Sequence, residues 1–165
     1  MRTRCDASIV GKSRHEDHTI FKHILISTDG SELATKGVQR GLELAKALDA
    51  KATIITVTAL WGPLHSARGA RLESTIAALK KEADDEAGRV LEEVKYMAQN
   101  LGVSIETVYK TDMSPAEAIV RTAENKNCDL IVMSSHGHRG LRRALLGSQT
   151  SEVVNLAEMP VLVIR

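Results

Sequence analysis

The sequence predicts an α/β fold, a three-layer sandwich with a five-stranded parallel sheet between two layers of helices. Short apolar runs rich in β-branched residues alternate strictly with longer stretches of helical periodicity, in the order βαβαβαβαβ. Such alternation implies parallel strands covered on both faces. The first and fourth runs carry unbroken apolar stretches, Ile24-Leu25-Ile26 and Leu130-Ile131-Val132-Met133, as strands buried on both sides do. At 165 residues, 43% hydrophobic and 26% charged, with no internal repeat or linker, the chain suits one domain with a proper core. Only 2% of residues are aromatic, so aliphatic side chains must fill that core.

Residues 1–20 mix charges with Ser, Thr and His and show no periodicity; they read as a flexible extension ahead of a domain at 21–165. His15, His18 and His23 have no Cys or carboxylate at a recognised ligand spacing, and a solvated tail is the expected reading. The first strand covers Lys22 to Ser27 and ends at Thr28-Asp29-Gly30-Ser31. Ser31 is a suitable N-cap for a helix to about Leu48, with Ala34, Val38, Leu42, Ala45 and Leu48 on one face. The next strand is Ala52 to Thr58, and a loop with Gly62, Pro63 and Gly69 follows.

The longest helix is expected from about Arg71 to Leu101. Leu72, Ile76, Leu79, Ala83, Ala87, Val90, Val94, Met97 and Leu101 form its apolar stripe, and Gly102 stops it. Val103 to Tyr109 alternates as a strand does. Ser114-Pro115-Ala116-Glu117 is a helix start, with a capping Ser, Pro in the first turn and Glu three after the cap. That helix runs to about Asn125 and buries Ala116, Ile119, Val120 and Ala123. After the fourth strand a helix is expected from about Ser148 to Ala157. Pro160 then opens the last strand, Val161–Ile164.

The stretch after the fourth strand carries the chemistry. Strand, glycine-containing loop and helix N-terminus form the arrangement that backbone phosphate binding needs: glycine lets N–H groups face an anion, and the helix start adds unpaired donors. Between Ser134 and Ser151 there is no acidic residue, while Arg139, Arg142 and Arg143 are present. Neither common phosphate loop occurs. Gly11-Lys12-Ser13 follows no strand and lacks the earlier glycine of a P-loop, and G-x-G-x-x-G is absent.

Gly137, nine intervening residues and then Gly147-Ser148, with Ser134 three positions before Gly137, resemble the nucleotide-binding pattern G-x2-G-x9-G-S/T of the universal stress protein family. The resemblance runs from about Phe21 to Arg165 and includes the Asp-Gly-Ser after the first strand and the Pro-Val-Leu-Val-like end. In this chain the first glycine of the pattern is Ser134, which costs little at negative φ and roughly 1 kcal/mol or more at positive φ. The resemblance implies a Rossmann-like sheet of order 3-2-1-4-5, ATP as ligand and a homodimer. In such a sheet ligands bind beyond the carboxyl ends of the strands where the order reverses, which sets Asp29 opposite the Ser134–Ser148 loop.

Residue roles then follow from chemistry. Backbone at Ser134, His136, Gly137, Gly140 and Gly147, with the Ser148 hydroxyl, would hold phosphates, and Gln149 and Thr150 would add donors from the first helical turn. Arg139 would reach the outer phosphates or face water, as would Arg142 and Arg143. Asp29 would repel phosphates and is better placed accepting from ribose hydroxyls or the adenine amino group, beside Ser27 and Thr28. Val57 and Met133 would wall the base. The plainer readings are that Asp29 only forms a turn, Ser148 only caps its helix, and the arginines are a solvated basic turn. His136 and His138 have no nucleophile or orienting carboxylate at a suitable spacing, so no catalytic residue is assigned.

Three functions stay open: an ATP-binding regulator or sensor, a slow ATPase using Mg2+ or Mn2+, and a nucleotide-free dimeric interaction module. The retained Gly137, Gly147 and Ser148 favour the first over the third, and the missing water-activating base argues against efficient turnover. Beyond residue 21 the chain has 18 basic residues (22 − 4) and 18 acidic ones (21 − 3), and this neutral body, poor in aromatics, gives no nucleic-acid footprint. Two cysteines, Cys5 and Cys128, make no disulfide framework; with no apolar run near ~20 residues and no signal-peptide core, a cytoplasmic protein away from membranes is expected. The wholly apolar last strand, Val161, Leu162, Val163 and Ile164, would lie at a sheet edge, where pairing with a second copy is expected. Protein partners beyond that copy are not legible.

Overall fold

The structure is a computed structural model that describes residues 20–59, 71–137 and 146–165. Its strands are β1 (His23–Ser27), β2 (Lys51–Ala59), β3 (Ile105–Asp112), β4 (Leu130–Ser134) and β5 (Val161–Ile164). The helices are α1 (Glu32–Leu48), α2 (Arg71–Leu101), α3 (Pro115–Asn125) and α4 (Ser148–Leu156). The strands form one parallel sheet of order β3-β2-β1-β4-β5. The chain winds outward from β1 to β3, crosses back, and continues outward on the other side of β1. The order therefore reverses between β1 and β4.

Alternate side chains of the central strands feed two cores. Ile24 and Ile26 of β1 face Val38, Leu42 and Ala45 of α1 and Leu91, Val94 and Ala98 of α2. Leu25, Ile55, Ile131 and Met133 pack with Ala116, Ile119, Val120 and Ala123 of α3 and Val153 of α4. Residues Ile24 to Ile26 and Ile131 to Val132 are fully buried, as strands covered on both faces require. Local signals agree with this frame. Ser31 accepts from the Ala34 N–H at 3.2 Å, and Ser114 from the Glu117 N–H at 3.4 Å, so both serines cap their helices.

Three expectations change. β3 begins at Ile105 rather than Val103 and runs on to Asp112, paired throughout with β2 from Ala52↔Ile105 to Ala59↔Asp112. Val103 is withdrawn from the strand because its N–H donates to the Ala98 carbonyl at 2.9 Å, closing the helix end around Gly102 at φ +70°. Among the described side chains of α2, those buried lie in the C-terminal half, Ala87, Val90 and Val94 of the stripe with Leu91 and Ala98 beside them, whereas Leu79 is 38% exposed. The helix is simply longer than the sheet it covers.

His23 is the third change. Its place in β1 agrees with the strand expected over Lys22 to Ser27 and excludes the solvated-tail reading: its Nε2 lies 2.8 Å from Thr53 Oγ1 and its Nδ1 3.0 Å from the Lys126 carbonyl. The Asp129 carboxylate accepts from the backbone N–H groups of Lys22 (2.7 Å) and His23 (3.1 Å), tying the entry of β1 to the entry of β4. Cys5, His15, His18, Gly62, Pro63, His138, Arg139, Gly140, Arg142 and Arg143 lie outside the described residues.

Candidate functional site

The chain leaves β1 through Ser27 and Thr28, both buried. The Thr28 N–H donates to the Ile55 carbonyl at 2.9 Å, carrying the ladder one residue past the strand, and Thr28 Oγ1 accepts from the Gly30 N–H at 3.2 Å. Asp29 Oδ1 accepts from the Ser31 N–H at 3.1 Å, so the predicted Asp turn is present. Gly30 makes it possible: its φ is +78°, and a Cβ there would stand 2.5 Å from Val90 Cγ2 of α2. The result is a tight crest at the carboxyl end of β1, with Asp29 exposed on it.

The chain leaves β4 through Ser134, Ser135 and His136. Among described residues only Asp49 and Asn127 are non-glycine positions at positive φ, so Ser134 sits in ordinary backbone and carries no strain. It is buried, and its Oγ donates to the His136 carbonyl at 2.8 Å. The Ser135 N–H donates to the Ile164 carbonyl at 2.7 Å, while the Ser135 carbonyl accepts from the Gly147 N–H at 2.8 Å. Thr150 Oγ1 reaches the carbonyls of Ser134 (3.0 Å) and Ser135 (3.2 Å). The first turn of α4 is thereby hooked onto the end of β4.

This hook narrows one predicted role and overturns one plainer reading. Thr150 is buried and its hydroxyl proton is committed to strand carbonyls, so the side chain holds the loop and only its backbone N–H is left to offer a ligand. Ser148 is not the N-cap. Gly147 is, with no side-chain capping bond, because its carbonyl already accepts the first helical bond, from the Ser151 N–H at 2.9 Å. Ser148 and Gln149 therefore occupy the first helical turn and are exposed. With Thr150 they place three backbone N–H groups that have no acceptor inside the helix, and that turn carries no acidic residue.

The two exits meet. A Cβ at Gly137 would lie 2.0 Å from Asp29 Oδ2, so the loop after β4 passes directly against the Asp29 carboxylate. At Gly147 a Cβ would come to 3.1 Å from the Ser135 carbonyl and 3.6 Å from His136 Cδ2. His136 is half-buried, with Nδ1 3.2 Å from Ser135 Oγ. Val57 is partly buried and lies two residues beyond the Ser27↔Ile55 register pair; Met133 is 5% exposed and belongs to the core beneath.

The structure thus brings Asp29, Ser134, His136, Gly137, Gly147 and Thr150 together at the point where strand order reverses. Ser135, only 4% exposed and bonded to both β5 and α4, was missed from the sequence, where it is one small polar residue among several. Cys128, the cysteine among the described residues, lies before β4 at the far end of the sheet, and burial, with Asp129 beside it, pushes its thiol up to about 11. Among the described residues no group of three or more His, Cys, Asp or Glu is set to hold a metal ion.

A model of the universal stress protein family matches residues 20–165. The chain belongs to that family. This universal stress protein is 38% identical over 146 residues to universal stress protein MJ0531 of Methanocaldococcus jannaschii, covering 88% of this chain and 83% of the relative. Among solved structures it resembles that of MJ0577, with a TM-score of 0.72 and 29% identity over 87% of this chain and 94% of that one. Two further structures share the fold. A universal stress protein in complex with cAMP has a TM-score of 0.65 at 23% identity, covering 88% of this chain and 97% of that one. One from Archaeoglobus fulgidus in complex with dAMP has a TM-score of 0.63 at 19% identity, covering 88% of this chain and 99% of that one. No helix among the described residues is long and apolar enough to cross a membrane.

Proposed function

We propose that this universal stress protein binds ATP in the crevice between the Asp29 crest and the loop joining β4 to α4, and works as a cytoplasmic nucleotide-dependent regulator in stress response. The observation that carries the reading is the approach of Gly137 to Asp29 beside a helix N-terminus hooked to the same strand end. A carboxylate suited to ribose or adenine donors stands next to a turn of backbone donors suited to phosphate. Gly137, Gly147, Ser148 and Gln149 supply the phosphate side, with Arg139 and Gly140 from the same loop; Ser27, Thr28 and Val57 flank the nucleoside side. Mg2+ or Mn2+ would accompany the triphosphate. The cAMP and dAMP complexes of family members support an adenine nucleotide as ligand.

The same reading includes a homodimer through Val161–Ile164. β5 is the outer strand of the sheet, Leu162 is 39% exposed, and Val154 and Leu156 on α4, which packs against β5, are 43% and 45% exposed. An apolar edge of this kind is completed by a second copy. The nucleotide reading is tested by competition: a fluorescent ATP analogue bound by the protein is displaced by ATP and not by GTP at the same concentration. Equal displacement by both, or no bound analogue, overturns it.

A further inference from the structure

We propose that Ser134 is a positioning residue for the phosphate loop, its hydroxyl fixing the peptide that presents the Gly137 N–H to the ligand. The inference rests on the nucleotide reading and adds to it a role for the one position at which this chain departs from the family's glycine pattern. Ser134 Oγ donates to the His136 carbonyl at 2.8 Å from a buried position. That carbonyl and the Gly137 N–H belong to one peptide group, and with no cis peptide bond among the described residues they point in opposite directions. Pinning the carbonyl toward the end of β4 turns the Gly137 N–H away from the strand, toward the crevice beyond the carboxyl ends of β1 and β4.

The neighbouring peptide is fixed in the same way. The Ser135 carbonyl accepts from both the Gly147 N–H and Thr150 Oγ1, so the His136 N–H is turned away from α4. Carbonyls of three successive residues, Ser134, Ser135 and His136, are thus tied inward by hydroxyl or backbone donors. Glycine at 134 would leave the last of them without its hydroxyl donor. The loop would then have to order itself when the phosphates arrive, and that ordering weakens binding.

The test compares ATP and adenosine binding to the unmodified protein, Ser134→Ala and Ser134→Gly by calorimetry. A positioning role at the phosphates predicts that both variants lose about three- to tenfold in ATP affinity, the range of one net hydrogen bond. Adenosine affinity stays the same. A merely structural role would weaken both ligands together, and that result overturns the inference. Equal ATP affinity in all three proteins also overturns it while leaving the nucleotide reading intact. Failure of the unmodified protein to bind ATP removes the nucleotide reading, and the inference with it.

Discussion

Asp29 Oδ2 occupies the space that a side chain at Gly137 would need, 2.0 Å from where its Cβ would be. Asp29 is not loose, because its Oδ1 accepts from the Ser31 N–H at 3.1 Å. Gly137→Ala must therefore displace either the Asp29 crest or the loop. We expect a loss of about 1–3 kcal/mol in stability, typical of overpacking, and at least about tenfold in ATP affinity. In an Asp29→Ala background the same change should cost less than half as much stability. A double-mutant cycle in urea reads that coupling; additive losses would mean that the two residues do not contend for this space.

The opposite end of the sheet offers a contrasting test. Asp129 accepts from the N–H groups of Lys22 and His23, one on each carboxylate oxygen. Asp129→Ala should lower stability by about 1–3 kcal/mol, the cost of leaving such donors without their partner. ATP affinity should be unchanged, because the crevice lies at the carboxyl ends of the strands. Urea denaturation and calorimetry on the same variant separate the two effects.

The proposed dimer would depend on which backbone groups β5 leaves facing outward. Ser135 N–H donates to the Ile164 carbonyl, and Ile131 N–H to that of Pro160. Even-numbered residues of β5 thus point their backbone at β4, and Val161 and Val163 point theirs to the open edge. Val163→Pro removes one outward N–H and none that faces β4. Sedimentation should show the dimer shifted to monomer, with the melting temperature of the monomer little changed. A variant still dimeric at micromolar concentration would place the interface elsewhere.

Burial raises the Cys128 thiol from 9.0 to about 11, so the folded state disfavours the thiolate. A group raised in this way adds stability that is present below pH 9 and is lost as pH rises toward 11. In a Cys5→Ser background at pH 9, about 1% of Cys128 would be thiolate, against about half of an ordinary thiol at its pKa. Alkylation by iodoacetamide should therefore be slow in native protein and fast in urea. Rapid native labelling would show that the thiol is not held as the structure has it.

The sequence displays what is decided locally. Ser31 and Ser114 announce their helices by capping chemistry, and Ile24–Ile26 announces a doubly covered strand by lacking alternation. Elements decided by partners are less visible. Val103 alternates like a strand residue, yet the Ala98 carbonyl claims its N–H. Leu79 continues an apolar stripe past the end of what it has to cover. At the site, Gly137 and Gly147 were legible from their spacing. The hydroxyl bonds of Ser134 and Thr150 were not: the first depends on how the backbone turns over the two residues after Ser134, and the second on a β4 carbonyl that only the packing of α4 against β4 brings within reach. The order of the strands came from family resemblance, since alternation alone does not choose it.

The most direct measurement is a calorimetric titration of ATP with Mg2+ into the purified protein, beside Gly147→Val. A Cβ at Gly147 would already lie 3.1 Å from the Ser135 carbonyl, and a branched side chain there would crowd the first turn of α4. We predict saturable one-to-one binding per chain in the unmodified protein and its loss in the variant, with the fold retained by circular dichroism. Absence of binding in the unmodified protein would contradict the account and leave the nucleotide-free dimer as its function. Equal binding by both proteins would contradict it differently, by placing ATP away from this loop.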